Sequence, residues 1–212
     1  MSLIVHPTYF SPVIQYVAMV NSDEVIFEKE DHYQKQTYRN RCYIYGANGK
    51  QILTVPVLHK RNSGHPKTRD IRIDNSFPWQ VQHLKSIQTA YRSSPFFEYY
   101  EDDLIPVFKK KFKFLIDLNL ETDQVISELL DLEIKKSFTE TYIAEYPEDQ
   151  DYRSLVNAKT GTTYDLKKYQ QVFMGKHGFI SNLSILDLLF NEGTNALGYL
   201  LTQNLNNSPN LC

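Results

Sequence analysis

The chain opens with the order strand, helix, strand, and this order constrains the fold more than any other feature of the sequence. Residues 3–5 form a short apolar run of strand type, and the Ser11-Pro12 pair is typical of a helix start. Apolar residues then recur at helical spacing over residues 13–20, and residues 24–28 form a second strand-like run. Such a unit favours a right-handed crossover connection, and therefore a parallel sheet.

The remaining sequence has the pattern of a hairpin followed by a mostly helical half. Asn48 and Gly49 lie between strand-like runs and give the strongest short-range signal for a hairpin. Apolar spacing predicts helices at residues 81–91, 96–108, the later half of 115–132, 184–190 and 194–203, an edge strand at 138–143 and a long acidic loop at 145–168. We expect a three-layer α/β domain over residues 1–203, with a mainly parallel N-terminal sheet, a β-hairpin addition, a helical C-terminal half, and a frayed tail over residues 204–212.

The amino-acid composition narrows the type of protein and the partners to be expected. With 212 residues, 42% of them hydrophobic, the chain is long enough to bury a core. The formal net charge of -2 gives no global attraction to nucleic acid or to an anionic membrane, although a local basic patch stays open. Cys42 and Cys212 form no disulfide framework, and the sequence shows neither a signal-peptide pattern nor a run long enough for a membrane span. We expect a reduced, cytoplasmic protein without a nucleic-acid partner; its oligomeric state stays open.

Familiar catalytic motifs are missing from the sequence. There is no P-loop, no glycine pattern of the dinucleotide-binding type and no nucleophile elbow. The six histidines are scattered and do not pair with cysteines at metal-ligand spacing, so we expect no resident metal. Candidate site residues therefore have to be chosen from their positions on the predicted fold.

His6 and Tyr9 form the first candidate cluster, at the carboxyl end of the first predicted strand. Ligands bind at this edge of open α/β sheets, and the following helix would present free N–H groups to an anion. A histidine at this position can bind a phosphate or carry a proton. The alternative is a histidine that only caps a turn.

The second candidate cluster follows the second predicted strand, within residues 30–41. It alternates cations with aromatic residues, and its candidates are Lys35, Tyr38, Arg39, Asn40 and Arg41. Arginine forks suit a phosphate or a carboxylate, and tyrosine rings can stack on a base or a sugar. The alternative is a solvated loop with scattered charges.

The third candidate cluster lies on a predicted helix that is otherwise apolar. Ser184, Asp187 and Asn191 are spaced three and four residues apart, so they share one stripe of that helix. A carboxylate there needs partners because an unpaired buried charge is costly, and Arg39 and Arg41 are candidates. The alternative is that Ser184 and Asp187 form a capping box.

The chain resembles the WbqC-like family, whose members are associated with O-antigen and other polysaccharide gene clusters. The matching segments span most of the chain and are residues 6–10, 33–41, 53–57, 71–75, 90–91, 95–100 and 183–191. His6 departs from the glutamine that is usual in the family, and Cys42 from an asparagine. The opening also looks like the start of the nucleotidyltransferase superfamily, but the His-x-Gly-His signature is absent, so that likeness concerns the fold alone.

The resemblance implies a role in surface-polysaccharide biosynthesis without fixing the reaction. The leading hypothesis is transfer of an acyl or aminoacyl group to an activated amino sugar, with a nucleotide or nucleotide sugar as small-molecule partner and a nucleotide with Mg²⁺ as one candidate cofactor. His6 and Asp187 are the candidate catalytic residues, and the candidate substrate-binding residues are Tyr9, Lys35, Tyr38, Arg39, Asn40, Arg41 and Asn191. The alternative is a non-catalytic binding or assembly factor for a nucleotide sugar or a partner enzyme.

Overall fold

The structure, a computed structural model, describes residues 2–58, 64–159 and 164–205. The strands are β1 (Ser2–Val5), β2 (Glu24–Phe27), β3 (Arg41–Gly46), β4 (Gly49–Thr54) and β5 (Lys135–Phe138). The helices are α1 (Val13–Val20), α2 (Trp79–Tyr91), α3 (Phe97–Lys109), α4 (Leu115–Leu129), α5 (Met174–His177), α6 (Ile185–Glu192) and α7 (Ala196–Leu201). Short 3-10 turns occur at Thr68–Asp70, Arg153–Val156 and Gly193–Asn195. The predicted mixed α/β class is confirmed, whereas Cys212 and most of the predicted tail lie outside the described residues.

The predicted parallel sheet is present and has the strand order β1-β2-β5. Both pairings are parallel, so the carboxyl ends of all three strands meet at one edge. On the outer side of β1, the Ile4 N–H donates to the Gln150 carbonyl at 2.8 Å, and the Tyr152 N–H donates to the Ile4 carbonyl at 2.9 Å. Residues 150–152 therefore occupy the hydrogen-bonding edge of β1 and bring a distant segment to the carboxyl edge of the sheet.

Helix α1 connects β1 to β2 and is buried on nearly every side, which agrees with its almost wholly apolar sequence. Its first N–H groups are already bonded: Val13 donates to the Leu183 carbonyl at 2.9 Å, and Ile14 donates to the Asn182 side chain at 3.0 Å. The expectation that this helix start offers free N–H groups to an anion is therefore wrong. A loop from the far end of the sequence satisfies them.

The β3–β4 hairpin confirms the turn signal. Gly46 pairs with Gly49 across a two-residue connection, and Gly49 has a φ of 98° that an L side chain would not easily adopt. The strands are antiparallel, with Cys42 paired to Leu53 on a buried face. Strand β3 begins at Arg41, the last residue of the second candidate cluster, so the hairpin holds the end of that cluster in place.

Two predicted element boundaries are corrected by the structure. The edge strand is β5, which starts three residues before the predicted segment and overlaps it only at Phe138, because its residues are mostly polar and give no apolar signal. Lys136 explains how such a strand is tolerated, since its Nζ donates to Asp123 at 2.6 Å and to Ser127 at 2.7 Å. Helix α4 is helical from Leu115 onward and not only in its later half. None of the described helices combines the length and apolarity that a bilayer span requires.

Gly193 ends α6 under two constraints that predict a large cost of substitution. Its φ is 55°, and a Cβ there would lie 2.5 Å from the Phe96 ring. We expect Gly193→Ala to lower the free energy of unfolding by about 2 to 4 kcal/mol, measured by urea denaturation. Gly198→Ala is the matched control, because it lies within α7 with no atom within 4 Å of the added Cβ. A Gly193→Ala protein as stable as Gly198→Ala would contradict this account.

Candidate functional site

A cleft of about 750 Å³ opens at the carboxyl edge of the parallel sheet. Its floor comes from His6 after β1 and from Asp31 and Arg39 after β2, and one wall comes from residues 142–157 after β5. All three parallel strands thus deliver side chains to one place, as expected for this edge of an α/β sheet.

Buried polar groups on the cleft floor centre on Arg39. Its Nη2 donates to Asp31 Oδ2 at 2.5 Å and to His6 Nε2 at 2.9 Å. The second carboxylate oxygen of Asp31 accepts from the Thr68 hydroxyl at 2.6 Å. Arg39 is 1% exposed, so its charge is compensated by Asp31 and not by water.

The arrangement around Arg39 fixes the protonation state of His6. A guanidinium can only donate, so Nε2 of His6 accepts and the neutral ring carries its proton on Nδ1. Burial lowers the pKa of His6 well below its ordinary value, and the charge of Arg39 lowers it further, while the Glu28 backbone opposes both effects. His6 is therefore a neutral imidazole at neutral pH.

Arg153 organises the wall formed by residues 142–157. It forms a fork with Asp151, from Nε to Oδ1 at 2.8 Å and from Nη2 to Oδ2 at 2.5 Å. The guanidinium also donates to the carbonyl groups of residues 143 and 144, and it lies 5.7 Å from the Tyr142 ring centre and 4.9 Å from that of Tyr146. One side chain therefore holds the segment that carries both tyrosines at the cleft.

Carboxylates behind the floor balance the remaining cations. Glu28 is fully buried, and its Oε1 accepts from the Thr139 hydroxyl at 2.9 Å. Its Oε2 lies 3.9 Å from Arg153 Nη1 and has no hydrogen-bond partner among the described residues. Glu30 pairs with both Lys67 and Arg69. Because its arginines are already matched by carboxylates, the cleft presents a mixture of donors and acceptors and not a cationic surface.

The mixture suits a neutral, hydroxyl-rich ligand better than a bare polyanion. Hydroxyl groups both donate and accept, so they can exchange hydrogen bonds with paired Asp and Arg side chains without separating the pairs. Tyr142 and Tyr146 add aromatic faces next to those polar groups. A phosphate, by contrast, would compete with Asp31 for the Arg39 guanidinium or with Asp151 for the Arg153 fork.

Of the predicted site residues, the structure brings His6 and Arg39 together in the cleft lining. Lys35 is exposed beside Gln34, which lines the cleft, and Arg41 is half-buried at the start of β3. Neither Lys35 nor Arg41 is itself part of the cleft lining.

Three other predicted residues lie in the core. The Tyr9 hydroxyl bonds to His83 Nδ1 at 3.0 Å, and Tyr38 is buried with its ring edge-on to that of Tyr43. Asn40 donates to the Val55 carbonyl at 3.2 Å. These contacts explain each side chain by packing and backbone bonding, and their predicted binding roles stay predictions.

Asp187 lies in a separate buried network. Its Oδ1 accepts from the Tyr91 hydroxyl at 2.9 Å, and its Oδ2 accepts from the Tyr169 hydroxyl at 2.6 Å and from Gln171 at 2.8 Å. Asn191 donates to the backbone carbonyl of Asp187 at 2.7 Å. Neither Asp187 nor Asn191 belongs to the cleft lining, so their predicted site roles gain no support from this placement.

The partners of Asp187 correct two sequence expectations. Arg39 is paired with Asp31 and does not serve as the cation of Asp187. Ser184 does cap α6 by accepting from the Leu186 N–H, but the Asp187 carboxylate points to the Tyr91 network, so no capping box forms. Among the described residues, the donors to the Asp187 carboxylate are neutral, and burial raises its pKa to about 6 against their opposing effect.

Sequence reasoning did not select Asp31, Tyr142, Tyr146, Asp151 or Arg153. Asp31 lies inside the second candidate cluster, four residues after β2, and the carboxyl-edge rule alone would have included it. The edge strand was predicted too late in the chain, which put Tyr142 inside a strand instead of after one, whereas Tyr146 falls in the predicted acidic loop. Asp151 and Arg153 also fall in the predicted acidic loop, of which residues 160–163 lie outside the described residues.

Within the described ranges, no group of three or more His, Cys, Asp or Glu side chains is placed to hold a metal ion. A nucleotide that brings its own Mg²⁺ would therefore depend mostly on phosphate oxygens and water molecules for the ligands of the ion. Lys35 is exposed and directly follows Gln34, which lines the cleft.

The fold and the cleft define a mixed α/β protein with a candidate ligand site at the carboxyl edge of its parallel sheet. The chain belongs to the WbqC-like protein family, which it matches over residues 7–164. It is also similar to Uncharacterized protein Rv1507c of Mycobacterium tuberculosis, with 29% identity over 204 residues, covering 84% of this chain and 87% of that protein. No solved structure matches the chain.

The raised pKa of Asp187 predicts a pH-dependent stability. Its pKa is about 6 in the folded protein and about 3.9 in an unfolded chain, so the folded state binds more protons between these values. Stability from this group is complete below about pH 4 and falls by about 3 kcal/mol as the pH rises past 6. Asp187→Asn removes the titration.

Urea unfolding of the wild type and of Asp187→Asn at about pH 4.5 and pH 7.5 checks this prediction. The stability of the wild type relative to the variant should decline between the two pH values, whatever constant cost the amide adds. Asp117→Asn is the matched control, because Asp117 is an exposed carboxylate in the first turn of α4. A wild type and an Asp187→Asn protein with parallel pH profiles would contradict the buried titration.

Proposed function

We propose that this protein modifies an activated amino sugar in surface-polysaccharide biosynthesis, by transferring an acyl or aminoacyl group to a nucleotide-linked sugar bound in the cleft. The single observation that carries the proposal is the convergence of His6, the Arg39–Asp31 pair and the Arg153–Asp151 fork on one cleft with two tyrosines. These groups come from three distant segments, which is what a built ligand site requires.

The dimensions of the cleft support a ligand of this class. Small-molecule sites span about 300 to 1,000 Å³, and this cleft has about 750 Å³. We assign the sugar ring to the wall that carries Tyr142 and Tyr146, where its hydroxyl groups can reach Asp151. The diphosphate would then lie toward Lys35 at the exposed rim.

The reaction needs a proton acceptor in the cleft. The amine lone pair of the sugar attacks the carbonyl carbon of an activated acyl donor, a C–N bond forms, and the leaving group departs with the electron pair of its bond to carbon. The proton lost by the attacking nitrogen goes to the acceptor, which we assign to Nε2 of His6. This assignment requires Arg39 to release its hydrogen bond to His6 while keeping the bond to Asp31.

A second candidate function is binding without catalysis, and one observation favours it. Nε2 of His6 is occupied by Arg39, the Arg153 fork is occupied by Asp151, and Nη2 of Arg39 donates to Asp31. In this arrangement these polar groups bond to one another, and none of them is left unpaired to act as a nucleophile or base. Such a cleft could hold a nucleotide sugar for a partner enzyme.

Ligand binding is tested first by thermal unfolding with nucleotides and nucleotide sugars, with and without Mg²⁺. A ligand at a hundredfold excess over its Kd adds about 2.7 kcal/mol, which raises the midpoint by about 5 to 10 °C. Tyr146→Ala should weaken binding about 2- to 12-fold through the lost ring contact. Tyr99→Ala, which removes a 72% exposed tyrosine outside the cleft, should bind like the wild type. Absence of any shift, or equal loss in both variants, would overturn the site assignment.

Catalysis is separated from binding by His6→Gln. Glutamine, the usual residue of the family at this position, keeps an acceptor for Arg39 but cannot carry the proton. Incubation with an amino-sugar nucleotide and a panel of coenzyme A thioesters, or amino acids with ATP and Mg²⁺, is followed by mass spectrometry. If His6 is the acceptor, the variant keeps the thermal shift and loses at least about 100-fold in transfer rate. Product formed equally by both proteins would exclude that role, and no product from either would favour the binding function.

A further inference from the structure

A second surface, outside the cleft, carries cations in a defined arrangement. Arg72, Lys111 and Lys113 surround a shallow hollow of about 330 Å³, which Leu58 also lines. No Asp or Glu lies among the residues that line it, although the chain as a whole has a formal net charge of -2. We call these three cations, together with Leu58 and the neighbouring Phe77, the basic face.

Backbone hydrogen bonds between three segments hold the basic face in place. The Leu58 N–H donates to the Arg72 carbonyl at 2.9 Å, and the Ile73 N–H donates to the Lys113 carbonyl at 3.1 Å. The Asn75 side chain donates to the Phe112 carbonyl at 2.8 Å. The cations therefore project from paired backbone, and their spacing is set by the fold.

The three cations of the basic face are not neutralised by carboxylates within the described part of the protein. Arg72, Lys111 and Lys113 take part in none of the ion pairs formed among the described residues, whereas Lys110 pairs with Glu121 at 2.7 Å. Arg72 and Lys113 lie over the Phe114 ring, which positions both cations without neutralising them.

The end of helix α3 does not account for these lysines. A helix dipole stabilises cations within the last turn, and Lys109 fills that role in α3. Lys111 and Lys113 lie beyond the cap residue Lys110, in the segment that leads to α4. Their exposure and positive charge therefore remain available to a partner.

Exposed apolar side chains accompany the cations. Leu58 is 50% exposed within the lining of the hollow, and Phe77 is 62% exposed two residues after Asn75, which also lines it. We propose that the basic face docks the protein on an anionic lipid surface. The cations would face the lipid headgroups, and Leu58 and Phe77 would enter the interface.

The exposed Leu58 side chain favours a lipid surface over nucleic acid as the partner of the basic face. A phosphate backbone is bound by cations and hydrogen-bond donors, to which an exposed leucine adds nothing. The same leucine and a phenylalanine gain free energy when they leave water for the boundary between headgroups and acyl chains. This docking is independent of the ligand proposed for the cleft.

Sedimentation with vesicles tests the docking. We expect the protein to bind vesicles of about 70% phosphatidylcholine and 30% phosphatidylserine, to ignore pure phosphatidylcholine, and to be released by about 0.5 M salt. Because each basic residue near an anionic bilayer contributes about fivefold in affinity, Lys111→Glu with Lys113→Glu should weaken binding at least about 25-fold. Phe77→Ser should weaken it at unchanged charge.

The matched control is Lys159→Glu with Lys168→Glu, which changes the net charge equally at exposed positions elsewhere. Circular dichroism shows whether each variant is folded. Equal loss in both double variants would mean that net charge alone acts, and would overturn the proposal. Equal binding to both vesicle types would also overturn it, as would binding to RNA or polyphosphate with none to anionic vesicles.

Discussion

The cleft depends on the buried pair between Arg39 and Asp31. Removing either partner would leave an uncompensated charge in the interior, at a cost of about 3 to 5 kcal/mol. The pair joins the end of β1 through His6 and the turn before residue 71 through Thr68. Asn119 of α4 also donates to the Arg39 carbonyl, at 2.9 Å. Helix, turn and sheet thus meet at one arginine, which joins these elements at the floor of the cleft.

Local pattern was enough for the framework of the fold. The opening strand–helix–strand order predicted the parallel β1–β2 pairing, and Asn48-Gly49 predicted the hairpin, because each signal lies within a few neighbouring residues. The position of strand β5 was not predicted correctly, because it depends on contacts such as that of Lys136 with Asp123. Such long-range contacts leave no pattern of apolar residues in the local sequence.

Residues of the candidate site could be predicted where their position after a strand brings them to the cleft. They could not be predicted where side-chain contacts between distant segments determine their surroundings. His6 and Arg39 follow β1 and β2, so the edge rule placed both in the cleft. The need of Asp187 for partners was also evident from its apolar helix. The sequence could not tell that hydroxyl groups of Tyr91 and Tyr169 would meet that need, since both come from other elements. Pairing across long sequence distances is a property of the packed chain.

The capping of α1 by residues 182 and 183 bears on the order of events during synthesis. Helix α1 cannot bond its leading N–H groups within the fold until residues 182 and 183 have been synthesised, because Asn182 and Leu183 supply the acceptors. Long-range closure of this kind slows folding and keeps early segments exposed. The β1–α1–β2 unit therefore reaches its final packing only after a segment 168 residues further along the chain has joined it.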